Sequence, residues 1–282
     1  MDVELTEKQK ACIPDVTFEL IPINQLVSDQ DYQRNLSESH ILKAVEEFDV
    51  NQINSVKVSR RDGVNYVVDG QHTIEIVAAK SESRTTPVWC MIHTDLGYKE
   101  EAHLFAEQQT HVKPLTPYEK FNGHIEAGDE DQLMIASIVK SYGLVLSGYK
   151  IPRSVRAITT MERIYKKYGY SVLDGALRLI VGTWEGEVNS LSGSMIAGAA
   201  RLIVVFGDSL REDVFKEHVG KVSVRQLSRM AKERRPGTLG YAEAMILAYN
   251  AKNKYRLSMR RLYGGKAEDP EEDMEEDAVW GK

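Results

Sequence analysis

The residues with the clearest chemical arrangement lie in YVVDGQHTIEIVAAK, Tyr66 to Lys80. An apolar run meets Asp69-Gly70, and a helical pattern starts at once. A helix N-terminus exposes unpaired backbone N–H groups and the positive end of the macrodipole. Gly70 lets a ligand approach the backbone closely and can take positive φ. Gln71, His72 and Thr73 fall in the first turn as donors. This arrangement suits an anion, most naturally a phosphate. A plain strand–helix turn capped by Asp69 is the simpler alternative on these residues alone.

A second constellation is basic. Residues 221–266 hold twelve bases and only two acids, Glu233 and Glu243. Arg225, Arg229 and Lys232 fall about one turn apart on one expected helix. Lys252, Arg256 and Arg260 do the same on another, expected over Tyr241–Tyr263. Bases stacked on helix faces suit a polyanion such as DNA, with phosphate contacts supplying salt-sensitive affinity. A solvated surface, or a docking site for the protein's own acidic tail, fits the same pattern. Other chemistry is thin. The seven histidines are scattered, with no HExxH or paired CxxC, and Cys90 and His93 form an isolated pair on a strand. No GxSxG or Walker-type loop occurs, and GSMIAG (Gly193 to Gly198) reads as a small-residue helix contact.

The elements that must position these residues fall into two groups. The first hundred residues read as α/β: strands at Thr17–Ile23, Ser55–Arg60, Asn65–Val68 and Pro87–His93, with a hairpin turn at Asp62-Gly63. Helices are expected from a Ser37 cap to Phe48, over Gln71–Lys80 and over Lys99–Gln109. From Pro117 onward the period is helical, in segments separated by Gly-rich breaks near 143–152, 182–193 and 236–240. Two helix-turn-helix candidates stand out, Asp131–Tyr142 with Arg153–Tyr165 and Arg211–His218 with Val224–Glu233. The expected fold class is α+β: an N-terminal α/β domain over 1–116, an all-α domain over 117–264 and a disordered acidic tail over 265–282.

Composition is that of a soluble globular chain, 42% hydrophobic and 28% charged over 282 residues. No apolar run is long enough to span a bilayer, the N-terminus has no secretory h-region, and no membrane partner is expected. Two cysteines, Cys12 and Cys90, fit free thiols in a reducing cytoplasm. The net charge of −6 hides a segregation, because residues 268–277 (EDPEEDMEED) hold eight acids and no base.

Three ordered boxes between residues 17 and 121 resemble the ParB/sulfiredoxin-like superfamily. VDGQHT is similar to its phosphate-binding turn, written GERR in chromosome-partition ParB proteins and GCHR in sulfiredoxins. LIPINQLVSDQDYQR (Leu20 to Arg34) looks like the ParB opening box, with Gln33 and Arg34 adjacent where the family has Gln-Pro-Arg. AEQQTHVKPLTPYEKF (Ala106 to Phe121) resembles the ENLQR box followed by Leu-x-Pro-x-Glu, with Glu107-Gln108 for Glu-Asn.

The resemblance implies a ParB/sulfiredoxin-like N-terminal domain holding CTP or another nucleotide triphosphate with Mg²⁺. By position, Gly70, Gln71, His72 and Thr73 would line the phosphates, with Arg34 and Gln108 assisting. Glu107 would be the metal-side carboxylate, and Glu107 with Gln33 would carry any catalysis. The departures weaken hydrolysis. Gln71 replaces the acid tied to it and cannot act as a base, and Thr73 replaces a phosphate-binding arginine. Gln71 also replaces the sulfiredoxin cysteine, which argues against sulfinic-acid repair.

The reading is therefore a ParB-like, nucleotide-responsive DNA-binding protein of a plasmid, phage or other mobile element. It would be at most a weak triphosphatase, with a homodimer left open. DNA contacts would come from Arg225, Arg229, Lys232, Arg256 and Arg260. The alternatives are an Mg²⁺-dependent phosphotransferase or nuclease at the same pocket, and a non-enzymatic interaction module.

Overall fold

The computed structural model describes residues 5–264 except 29–31, 34, 95, 109, 111 and 188. Arg34 and the acidic tail 265–282 thus lie outside the described residues. The chain divides into two compact units, Met1–Lys113 and Pro114–Lys282.

In the first unit a short helix α1 (Glu7–Lys10) precedes strands β1 (Val16–Pro22) and β2 (Leu26–Val27). Helix α2 (Glu38–Glu46), strands β3 (Val56–Arg61) and β4 (Val64–Asp69), helix α3 (Gln71–Ser81), strand β5 (Pro87–Thr94) and helix α4 (Tyr98–Glu107) follow. The sheet order is β1-β5-β3-β4-β2. β3 lies parallel to β5 and antiparallel to β4, and β5 is antiparallel to β1. The β3–β4 hairpin turns on Asp62 and Gly63, both at positive φ (52° and 77°), the geometry that follows the twist of the strands. Val56, Val58, Val67, Ile74, Val88, Cys90 and Ile92 interlock as its core. Burial pushes the Cys90 thiol up to about 11, so it sits in that core as an inert small hydrophobe. Ser37 caps α2 as expected, but Leu42 is 66% exposed, so the apolar stripe of α2 is only partly used.

The second unit is helical. Its elements are α5 (Pro117–Ala127), α6 (Glu130–Ser141), strands β6 (Val145–Leu146) and β7 (Ser154–Val155), α7 (Ile158–Tyr168), α8 (Tyr170–Trp184), α9 (Gly193–Phe206), α10 (Glu212–Val219), α11 (Val224–Arg234), α12 (Gly237–Asn250) and α13 (Met259–Gly264). The segment Arg153–Tyr165, expected as one helix of a helix-turn-helix, is helical only from Ile158, because Ser154 and Val155 pair in parallel with Val145 and Leu146. α12 is buried around most of its circumference, from Thr238 to Tyr249, and forms the axis of the unit.

The single helix expected over Tyr241–Tyr263 does not form. The chain leaves the helix after Asn250, and Lys252 takes φ 52°. The Asn250 side chain donates to Leu257 O at 2.8 Å and accepts from Leu257 N–H at 2.7 Å. Asn253 donates to Tyr249 O at 3.0 Å and accepts from Tyr255 N–H at 2.9 Å. Asparagine amides here replace the i→i−4 bonds, the competition that makes Asn a poor interior helix residue.

Glu243 on α12 is 1% exposed. Arg234 Nε donates to its Oε2 at 2.6 Å, Arg235 lies 2.8 Å from Oε1, and the Tyr263 hydroxyl donates to Oε1 at 2.5 Å. Burial alone would raise the carboxyl pKa, but Tyr263, Arg234 and Arg235 together outweigh it and hold it below the usual range. The stabilisation is therefore full above the unfolded value of about 4.3 and is lost as pH falls through the lower folded value. Acid unfolding should be shallower in Glu243→Gln, which lacks that proton uptake. Parallel melting-temperature profiles from pH 6 to pH 3 for the two proteins would refute the assignment.

Candidate functional site

The strand–turn–helix at Asp69-Gly70 is formed as its residues dictate. Gly70 sits at φ 107° as the N-cap of α3, a conformation that costs a side-chain-bearing residue strain. A Cβ there would stand 3.2 Å from Val56 Cα, so the turn also packs too closely on β3 for a larger residue. Asp69 Oδ1 accepts from Gly70 N–H at 2.9 Å, and among the described residues no side chain caps the first turn of α3.

That first turn opens on a cavity of about 560 Å³. Gly70, Gln71, His72 and Thr73 line it, so the structure brings these four expected residues together. Asn35, Ser37, His40, Asn54, Ser55 and Phe105 complete most of the wall. His72 Nε2 accepts from Ser37 N–H at 3.2 Å, and the His40 ring stands edge-on to it at 5.4 Å. No lysine or arginine is among the described lining residues.

The Gln33 side chain bridges two elements. Its amide donates to Val67 O, and its Oε1 accepts from the Gln71 amide. Gln71 is therefore tied to the opening segment as a strut, which compromises it as a ligand. Tyr32, next in sequence, packs against Tyr98 and Phe105 with ring centroids 5.6 and 5.5 Å away. Burial and the nearby Glu101 carboxylate push its hydroxyl up to about 12. Glu101 is fully buried on α4 with Arg61 Nε at 3.3 Å, and Arg61 lies 4.3 Å over the Tyr66 ring. Sequence reasoning missed this anchor, because a lone Glu in an amphipathic helix carries no local sign of burial.

Glu107 and Gln108 are placed differently from expectation. Glu107 ends α4, is exposed and does not line the cavity, whose wall on that helix is Phe105. Gln108 is the C-cap of α4, and its Oε1 is buried without a hydrogen-bond partner among the described residues. Among the described residues no group of three His, Cys, Asp or Glu could hold a metal ion.

The basic residues divide. On α11, Val224, Leu227 and Ala231 are buried, which turns Arg225, Arg229 and Lys232 outward together. Ser223 and Gln226 form a capping box at the start of α11, and residues 220–223 join it to α10. The three bases line an open groove of about 1000 Å³ with Asn189, Gln226 and Tyr241. Arg256 and Arg260 are not stacked with Lys252, because the helix expected to align them ends at Asn250: Arg256 is in the following loop and Arg260 on α13. Among the described residues no helix is long and apolar enough to cross a membrane.

A family model described as "Family of unknown function (DUF6551)" matches residues 27–260. No curated protein matches the chain. Two solved structures of the chromosome-partitioning protein ParB from Caulobacter crescentus, both C-terminally truncated, align with it. One, complexed with CTP-gamma-S, aligns over 82% of this chain and 99% of its own at 12% identity and a TM-score of 0.34. The other, complexed to the centromeric parS site, covers 82% and 98% at 14% identity and a TM-score of 0.24.

Proposed function

The chain belongs to the DUF6551 family, whose function is unknown, and from its three ordered boxes and the geometry of its two sites we propose a ParB-like protein that binds a nucleotide in the first unit and nucleic acid through α11. One observation carries the nucleotide half. The first turn of α3, without a side-chain cap and entered through Gly70, faces a polar cavity of about 560 Å³. Backbone N–H groups aimed into a cavity at the positive end of a helix bind phosphoryl oxygens. The three boxes that resemble ParB supply the ligand class, CTP or another nucleotide triphosphate. The distant likeness to the two ParB structures is not the ground for it.

A triphosphate brings several negative charges, and the described wall offers His40, His72 and neutral amides and hydroxyls, carries the Asp69 carboxylate, and has no guanidinium or ammonium. Mg²⁺ would supply the missing positive charge while keeping waters and phosphate oxygens as ligands. Glu107 and Gln108 enter this reading through the sequence resemblance. Gln71, neutral and held by Gln33, cannot take a proton from an attacking water, so binding without rapid turnover is expected.

The nucleic-acid half rests on Arg225, Arg229 and Lys232 projecting from one face into one groove. Calorimetry with CTP, ATP and GTP tests the first half. One nucleotide should bind, at least tenfold more weakly once EDTA removes Mg²⁺; silence with all three defeats it. A gel-shift salt series tests the second. Arg225→Glu, Arg229→Glu and Lys232→Glu combined should reduce the salt slope by about 3, one per lost phosphate contact. Rapid product formation from bound nucleotide, lost in Glu107→Ala, would instead favour a phosphotransferase, and cleavage of added DNA a nuclease.

A further inference from the structure

The groove on α11 continues into a second hollow. That hollow, about 330 Å³, is lined by Lys150 and Arg156 from the connection between α6 and α7 and by Gly193 at the start of α9. Glu187, Asn189 and Ser192 belong to the walls of both, so the two form one trough. Five bases from separate parts of the chain thus meet along it: Lys150, Arg156, Arg225, Arg229 and Lys232. Four of them have no carboxylate partner among the described residues, and Arg229 has only the exposed Glu233 at 3.5 Å. By contrast Arg234 and Arg235, just beyond, share the buried Glu243 carboxylate, which offsets one of their two charges.

We propose that this trough is the docking surface for the chain's own acidic segment, residues 268–277. The chain approaches that segment from the correct end of the trough. Tyr263 donates to Glu243 Oε1 at 2.5 Å, and Arg235, the C-cap of α11, lies 5.4 Å over its ring. The last described turn of chain is therefore pinned beside the C-terminal end of α11, about one helical turn past Lys232. From Tyr263 to Glu268 is five residues, a reach of up to about 17 Å. The eleven residues of α11 span about 16 Å. Residues 268–277 can thus run back along α11, past Lys232, Arg229 and Arg225, to the hollow at Arg156.

Charge complementarity is the second ground. The segment holds eight acids and no base, against five bases in the trough. Its covalent tether sets an effective concentration on the order of millimolar, so weak exposed ion pairs suffice to fill the trough when no competitor is present. Glu187 and Glu233 in the walls oppose the contact, which keeps it exchangeable. The contact does not depend on nucleic acid using the same face. If nucleic acid does use it, the segment competes with it.

The test uses full-length protein. A fluorescent peptide of residues 266–282 is titrated against the wild type and against a variant with the eight acids of 268–277 changed to Gln or Asn. The peptide should bind the neutral-tail variant at least tenfold more tightly than the wild type, whose own segment occupies the trough. Adding Arg225→Glu and Arg229→Glu, or separately Lys150→Glu and Arg156→Glu on a different element, should abolish that binding. Lys216→Glu, outside the trough, should leave it unchanged. Equal binding to wild type and neutral-tail protein overturns the proposal. So does no binding to either, or equal loss with Lys216→Glu. Tight peptide docking with no gain in DNA affinity for the neutral-tail variant supports the docking surface and counts against the nucleic-acid reading.

Discussion

Gly240→Ala should lower the stability of the helical unit by about 3 kcal/mol, a fall in Tm of roughly 6–12 °C. Gly240 lies inside α12, where a Cβ would meet Arg235 O at 2.2 Å and Ala231 O at 2.7 Å. Both contacts are backbone carbonyls at the C-terminal end of α11, not flexible side-chain tips that could swing away. The added methyl must therefore push α11 off α12. That movement would also disturb the pairing of Arg234 and Arg235 with Glu243. Gly182 on α8 is the control, because a Cβ there would have nothing within 4 Å. Gly182→Ala should raise stability by about 0.5–1 kcal/mol through helix propensity alone. Thermal unfolding of the two variants decides the matter; equal melting temperatures would mean that α11 and α12 are not in close backbone contact.

Gly70→Ala is the second large effect. Positive φ at 107° and a Cβ only 3.2 Å from Val56 Cα combine to cost about 2 kcal/mol. Relief requires the start of α3 to shift, and with it the N–H groups of the first turn. Nucleotide affinity should fall at least tenfold while the protein remains folded. Gly63, at φ 77° with open space around it, separates turn strain from ligand loss. Gly63→Asn should keep full nucleotide affinity, since asparagine tolerates left-handed backbone. A folded Gly70→Ala protein with undiminished affinity would remove the α3 turn from the binding site.

The contrast among these glycines shows where local pattern stops. Asp62-Gly63 is legible as a hairpin and Asp69-Gly70 as a strand–helix turn, because the apolar runs on either side define what a glycine between them must do. Gly237 and Gly240 read equally well as a break, yet the helix α12 begins at the first and passes through the second. At Gly240 glycine is required by a neighbouring helix, which no window of flanking residues can report. Asn250 and Asn253 mislead in the opposite sense, since each is tolerable in a helix until Leu257 and Tyr255 supply the bonds that end it.

The two sites divide along the same line. Gly70 to Thr73 are contiguous, and strand, turn and helix geometry over a dozen residues places all four at one opening. Amphipathic period likewise sets Arg225, Arg229 and Lys232 on one side of α11, because Val224, Leu227 and Ala231 must be buried on the other. Three facts needed the folded chain. Glu107 stands away from the cavity wall, Gln33 holds Gln71, and Lys150 and Arg156 meet the α11 bases across Glu187, Asn189 and Ser192. Each depends on contacts between segments tens of residues apart, which are set by how whole faces pack and not by the order of neighbours along the chain.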